Sequence, residues 1–110
     1  SKETAQKVAE RFHCDHYFDF AELLEREDIQ AVSIVTPDPF HVELSIAAAE
    51  AGKHILLEKP IAQTVEEAQK IKKAADANGV RLMIAHILRF DSRYVQLQEQ
   101  SSVKVLSHIL

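Results

Sequence analysis

The sequence is short of glycine, cysteine and positive charge, and each shortage excludes something. Gly52 and Gly79 are the only glycines in 110 residues. They lie far apart, so the chain holds no G-x-G-x-x-G loop of the kind that cradles a dinucleotide pyrophosphate. Cys14 is the single cysteine and has no partner for an internal disulfide. That fits a reducing, cytoplasmic setting. No apolar run approaches the roughly 20 residues of a membrane-spanning helix. Ser1-Lys2-Glu3-Thr4 carries no apolar stretch of a signal peptide. There are 13 Lys and Arg against 17 Asp and Glu, for a net charge of −4. Nonspecific nucleic-acid binding needs clustered cations that displace phosphate counterions, so that function is not expected. His13, Cys14 and His16 crowd together, but no C-x-x-C or H-x-x-x-H partner accompanies them, and no metal site is expected.

What is present is a core-forming composition, 46% hydrophobic and 27% charged, as in folded soluble domains. The length suits one compact domain and is short for an α/β enzyme with a separate substrate domain. Ala5, Val8, Ala9 and Phe12 share one face of a helix over 2–12. His16-Tyr17-Phe18 reads as a brief extended stretch. Asp19 with Glu22 resembles a capping box opening a short helix that ends near Arg26 to Asp28. Ala31-Val32-Ser33-Ile34-Val35 reads as a buried strand with Thr36 at its end. Asp38 and Pro39 open the next helix as N-cap and first helical residue, and Gly52 stops it after Ala51. His54-Ile55-Leu56-Leu57 is the second strand. Thr64 with Glu67 makes a capping box for a helix through Ala77, with Ala68, Ile71, Ala74 and Ala75 inward and Gly79 as its stop. Leu82-Met83-Ile84-Ala85 is the third strand, Asp91 opens a helix to about Gln98, and Val103-Lys104-Val105-Leu106 begins a further strand. Short apolar strands alternating with amphipathic helices predict an α/β fold with a mostly parallel sheet.

Within that pattern Glu58-Lys59-Pro60 stands at the carboxyl end of the second strand. Open α/β sheets bind ligands at that edge. Thr36-Pro37 and Arg89-Phe90 follow the other two strands. Lys59 is therefore a candidate for chemistry, against the plainer reading of a solvated surface lysine. Glu58 either orients Lys59, bonds a ligand hydroxyl or makes a strand-end ion pair. Pro60 holds the turn, and the Lys59–Pro60 bond is a candidate for a cis peptide. His86 reads as a satisfied core histidine.

The ordered set Thr36-Pro37, His41, Ala51-Gly52-Lys53-His54, Glu58-Lys59-Pro60, Thr64 with Glu67-Ala68, Gly79 and Arg89-Phe90 resembles the Gfo/Idh/MocA oxidoreductases, named for glucose–fructose oxidoreductase and inositol dehydrogenase. The family pairs an N-terminal Rossmann domain with a C-terminal α/β substrate domain. The resemblance implies that residues 1–98 are the later part of the NAD(P)-binding Rossmann domain, lacking its first βαβ unit, and that 99–110 start the substrate domain. It implies an NAD- or NADP-dependent dehydrogenase acting on a sugar, polyol or related carbohydrate hydroxyl. Lys59 takes the family's catalytic position by resemblance. Thr36, Pro37, His41, Glu58, Pro60 and Arg89 would contact the cofactor, with packing or capping as the alternative for His41 and a salt bridge for Arg89. By itself the chain is expected to be inactive and to bind NAD(H) very weakly, because pyrophosphate contacts reside in the glycine loop. A different reading is a non-catalytic self-association module. In the Rossmann order the first strand pairs beside strand 31–35. Without it that strand is an exposed edge, apolar on both faces, and a homodimer through it is expected.

Overall fold

The computed structural model describes residues 1–100 of the chain. Its elements follow in the order α1 (Lys2–Phe12), α2 (Phe20–Leu24), β1 (Ala31–Ile34), α3 (His41–Glu50), β2 (His54–Leu57), α4 (Val65–Ala77), β3 (Leu82–Ile84) and α5 (Ser92–Gln100). Short 3₁₀ turns, Asp38–Phe40 and Ile87–Phe90, precede α3 and α5. The strands form one sheet in the order β1-β2-β3. Both pairings are parallel, with Ala31 opposite His54 and Ile55 opposite Leu82. Parallel neighbours cannot be joined by a tight turn, so α3 and α4 serve as the crossovers.

One face of the sheet carries the core. Val32, Ile34, Ile55 and Leu57 alternate inward and pack with Ala48 and Ala49 of α3 and Ile71 of α4. Ala48 and Ala49 have no exposed surface. Their small side chains let the α3 backbone lie close to both the sheet and α4. The opposite face is open: Ala31, Ser33, Leu56 and Met83 are all exposed. Strands apolar enough for burial on both sides are therefore buried on one. The physical reason is that both crossover helices lie with the core on the same side. Ser33 also makes the outer face of β1 partly polar, where apolar character on both faces was expected.

Helices α3 and α4 each end on a glycine in the left-handed region. Gly52 and Gly79 have φ of 72° and 66°. After α3, Lys53 N–H donates to Ala48 O at 2.9 Å and Gly52 N–H to Ala49 O at 2.9 Å. After α4, Val80 N–H donates to Ala75 O at 3.1 Å and Gly79 N–H to Asp76 O at 3.3 Å. Both are the paired 6→1 and 5→2 bonds of a Schellman stop. The Thr64–Glu67 capping box forms in full, with Glu67 N–H donating to Thr64 Oγ1 and the Glu67 carboxylate accepting from Thr64 N–H, each at 3.2 Å.

Other starts and stops differ from expectation. Asp38 makes no side-chain cap bond: Phe40 N–H donates to Pro37 O at 3.0 Å, so a 3₁₀ turn precedes α3. Three-residue closure suits Pro39, whose ring supplies no N–H at the first turn. Asp19 caps Ala21 N–H at 2.9 Å, and α2 stops at Leu24, short of Arg26. His16-Tyr17-Phe18 forms no strand, because no described strand lies alongside to pair with it. The third strand ends at Ile84, one residue early, because His86 N–H folds back onto Ile84 O at 2.8 Å. The strand expected at 103–106 lies outside the described residues.

Arg26 organises the approach to β1. Its guanidinium donates to both carboxylate oxygens of Asp28, to Asp15 and, at 2.8 Å, to the Tyr17 hydroxyl. Arg26 O in turn accepts from the Nζ of Lys53, only 8% exposed, at 2.7 Å. Lys53 thus ties the end of α3 to the loop entering β1.

Two measurements check this account. A Cβ at Gly79 meets nothing within 4 Å, so Gly79→Ala carries only the left-handed torsional cost. Urea unfolding should show a loss of about 1 kcal/mol. A change near zero would mean that the α4 stop is not held at positive φ. The hydrogen bonds from Arg26 hold the Asp28 carboxyl below the ordinary aspartate range. A depressed folded value gives stability that is present above the unfolded value and lost as pH falls through the folded one. Carboxyl NMR titration should find Asp28 low in the native chain and restored to the ordinary range in Arg26→Ala.

Candidate functional site

Parallel pairing delivers three strand ends to one edge. The ladder runs one residue past the strands: Glu58 N–H donates to Ile34 O at 2.9 Å, and Ala85 N–H to Leu57 O at 2.8 Å. Thr36-Pro37, Glu58-Lys59-Pro60 and the turn carrying Arg89 therefore leave the sheet side by side. His41 links the turns bearing Thr36 and Pro60 directly, and Arg89 follows β3 at the same edge of the sheet.

Lys59 is exposed, and among the described residues its ammonium makes no hydrogen bond or ion pair. Its backbone is held instead. The half-buried Glu58 carboxylate accepts from Lys59 N–H. Of the roles open to Glu58, the geometry shows backbone anchoring of the turn and no ion pair with the Lys59 ammonium. The Lys59–Pro60 peptide is cis. Thr36 and Pro37 are exposed, and Pro37 is extended with φ −58° and ψ 145°.

His41 sits elsewhere than a cofactor contact would. It has no exposed surface. Its Nδ1 lies 2.8 Å from Pro60 O and its Nε2 2.9 Å from Thr36 O. Both ring nitrogens are occupied by the two turns, which leaves neither for a ligand. His86 differs in the opposite sense. It is exposed, not a core residue, and its backbone O accepts from Arg89 N–H at 2.9 Å inside the 3₁₀ turn. Arg89 is exposed on that turn. The physical reason is that β3 ends before His86, so the alternation that half-buries Leu82 and Ile84 no longer applies.

One residue and one role with structural weight were missed. Lys53 appears in sequence only as part of a matched segment, yet it is buried and ties two loops. A lysine directly after a helix-stopping glycine and before an apolar strand is the available signal. The second is the bridging geometry of His41, which no spacing rule reveals because its partners are backbone oxygens.

The chemistry available at the edge includes that of an exposed ammonium on a turn whose backbone is anchored. An ammonium can stabilise an oxyanion that develops as a C–H bond is broken, and an amine can carry a proton to or from a hydroxyl. Nearby backbone and the Thr36, Glu58 and Arg89 side chains offer polar contacts for a bound molecule. A phosphate-cradling glycine loop is not part of this sequence.

Comparison with known proteins fits this geometry. The family described as "Oxidoreductase family, NAD-binding Rossmann fold" matches residues 1–86. A 2,7-anhydro-N-acetylneuraminate hydratase of Mediterraneibacter gnavus is 36% identical over 88 residues, covering 80% of this chain and 24% of the relative. The levoglucosan dehydrogenase of Pseudarthrobacter phenanthrenivorans is 40% identical over 84 residues, covering 76% of this chain and 22% of the relative. Among solved structures, the 3-ketoreductase KijD10 of Actinomadura kijaniata, in complex with TDP-benzene and NADP, superposes with a TM-score of 0.82 at 30% identity over 88% of this chain and 31% of that one. The chain thus spans under a third of the length of the relatives it matches. The extent of the family match, the parallel α/β sheet and the turns at its carboxyl edge lead to one assignment: the chain belongs to the Gfo/Idh/MocA oxidoreductase family, within its NAD-binding Rossmann domain.

Proposed function

We propose that this segment forms the reaction-side edge of an NAD- or NADP-dependent oxidoreductase acting on a carbohydrate-like hydroxyl, with Lys59 in the catalytic position. The observation that carries the reading is an unengaged ammonium on a turn whose backbone is pinned from two sides. A nicotinamide cofactor supplies the hydride acceptor or donor when bound. The residues fit that group at its nicotinamide end: the edge is exposed, polar and flanked by an arginine. In oxidation, a substrate C–H hydride leaves while the hydroxyl loses its proton. Lys59 as an amine accepts that proton, and as an ammonium it stabilises the oxygen's developing charge. In reduction the ammonium returns the proton to the new alkoxide. Thr36, Pro37, Glu58, Pro60 and Arg89 line the cofactor's path in this reading, and His41 acts through them. The pyrophosphate is held elsewhere in the full-length enzyme.

The test is Lys59→Ala in a full-length enzyme that contains this segment. Turnover and kcat/KM should both fall by on the order of 100-fold or more, while cofactor affinity changes little, because general acid–base groups contribute about that much. Unchanged turnover would refute the catalytic role.

A second reading, favoured by the place of β1 at the edge of the sheet among the described residues and by the exposed face bearing Leu56 and Met83, is that the 110-residue chain works as a self-association module. An uncovered edge is a template for pairing with another strand. Light scattering over a dilution series should then find a twofold dimer, and Ser33→Lys on β1 should return it to monomer. A native chain that stays monomeric at high concentration would end this reading.

A further inference from the structure

The His41 ring presents two nitrogens to two acceptors. Pro60 O stands 2.8 Å from Nδ1 and Thr36 O stands 2.9 Å from Nε2, with the ring fully buried. A carbonyl oxygen only accepts. A neutral imidazole carries one N–H, so it would satisfy one carbonyl and set a bare nitrogen lone pair against the other. With a proton on each nitrogen, both contacts become hydrogen bonds, and charge assistance strengthens them.

We propose that His41 is a positioning residue that donates from both ring nitrogens, as the imidazolium, and thereby sets the separation of the Thr36–Pro37 and Glu58–Pro60 turns. Two opposing effects act on the charge. Burial removes it from water, and the first turn of α3 presents the positive end of the helix dipole. The two carbonyl dipoles aimed at the ring offset these. The neutral ring has no equivalent compensation, since at hydrogen-bond distance one bare nitrogen lone pair then faces a carbonyl oxygen. The consequence is mechanical. Pro60 follows Lys59 directly, so the ring that holds Pro60 O also fixes where the Lys59 side chain begins. That consequence for catalysis rests on the function proposed above; the double donation does not.

Nitrogen NMR on the wild-type 110-residue chain, labelled with ¹⁵N-histidine, tests this near neutral pH. One ring should show two protonated nitrogens, each with a slowly exchanging proton. The chain has six histidines, of which His13, His16, His54 and His86 are exposed. Replacing those four and His108 by Gln one at a time should leave the protected signal in place, which assigns it to His41. A buried ring with one bare nitrogen would overturn the proposal, and so would six rings exchanging like free histidine. Amide exchange gives the second readout. In His41→Asn, exchange should accelerate on the order of tenfold at both Phe40 and Lys59, with the α4 amides unchanged. Acceleration at one turn alone would show that the ring holds only that turn. Neither readout needs cofactor or activity, so failure of the Lys59 mechanism and failure of this cross-link are separable.

Discussion

Parallel pairing of three short strands is the constraint from which the rest follows. Strands of three or four residues make few ladder bonds, and two parallel neighbours need a crossover between them. Each crossover here is a helix that must bury a face, and each packs on the same side of the sheet. The register then decides where the turns leave the sheet as well as how it packs. With Ile34 opposite Leu57 and Leu57 opposite Ile84, the strands stop together, so the three following turns leave from one line. A slip of one residue would turn Val32 and Ile34 to the open face and put Ala31 and Ser33 against α3.

Such short strands leave the turns little support of their own, and the chain provides it by backbone contacts. Glu58 N–H reaches Ile34 O, the Glu58 carboxylate takes Lys59 N–H, and His41 meets Thr36 O and Pro60 O. On the opposite side of α3, Lys53 reaches Arg26 O. His41 and Lys53 each spend a side chain on main-chain atoms of other loops. The cost of burying His41 and Lys53 is met locally, since each polar atom that matters has an acceptor within hydrogen-bond range. Ser45 is the exception: among the described residues its buried Oγ has no partner, and nothing in the structure explains its choice.

How much was legible in the sequence depended on the range of the interaction. The strands, the crossover helices, both glycine stops and the Thr64–Glu67 box are encoded within a few residues, and the structure has each of them close to where periodicity placed it. The α3 start was misjudged because Asp38 and Pro39 carry the signal of an N-cap pair and of a 3₁₀ turn alike. Burial was overjudged on the first strand, where Ala31, Ser33 and Val35 are exposed, because an apolar strand reads the same whether one face is covered or two. His86 was misjudged because strand ends cannot be fixed to a residue by pattern alone. The roles of His41 and Lys53 depend on carbonyls 19 and 27 positions away, and no local spacing carries that information.

The candidate site combines two properties that usually compete. Catalysis wants the reacting group placed within a fraction of an ångström, yet a group that transfers protons must reach its partner and withdraw. Here the two demands fall on different atoms of one residue. The Lys59 main chain lies between the carboxylate of its own neighbour and a proline held by His41, while its side chain is exposed and, among the described residues, its ammonium has no partner. Pinning the ammonium itself, for example in an ion pair with Glu58, would have fixed its position at the expense of its availability as acid or base. Glu58 instead takes the backbone N–H, so a carboxylate sits beside the lysine without occupying it. That division of labour between main chain and side chain is what makes the turn after β2, rather than the equally exposed turns after β1 and β3, the place where proton transfer is expected.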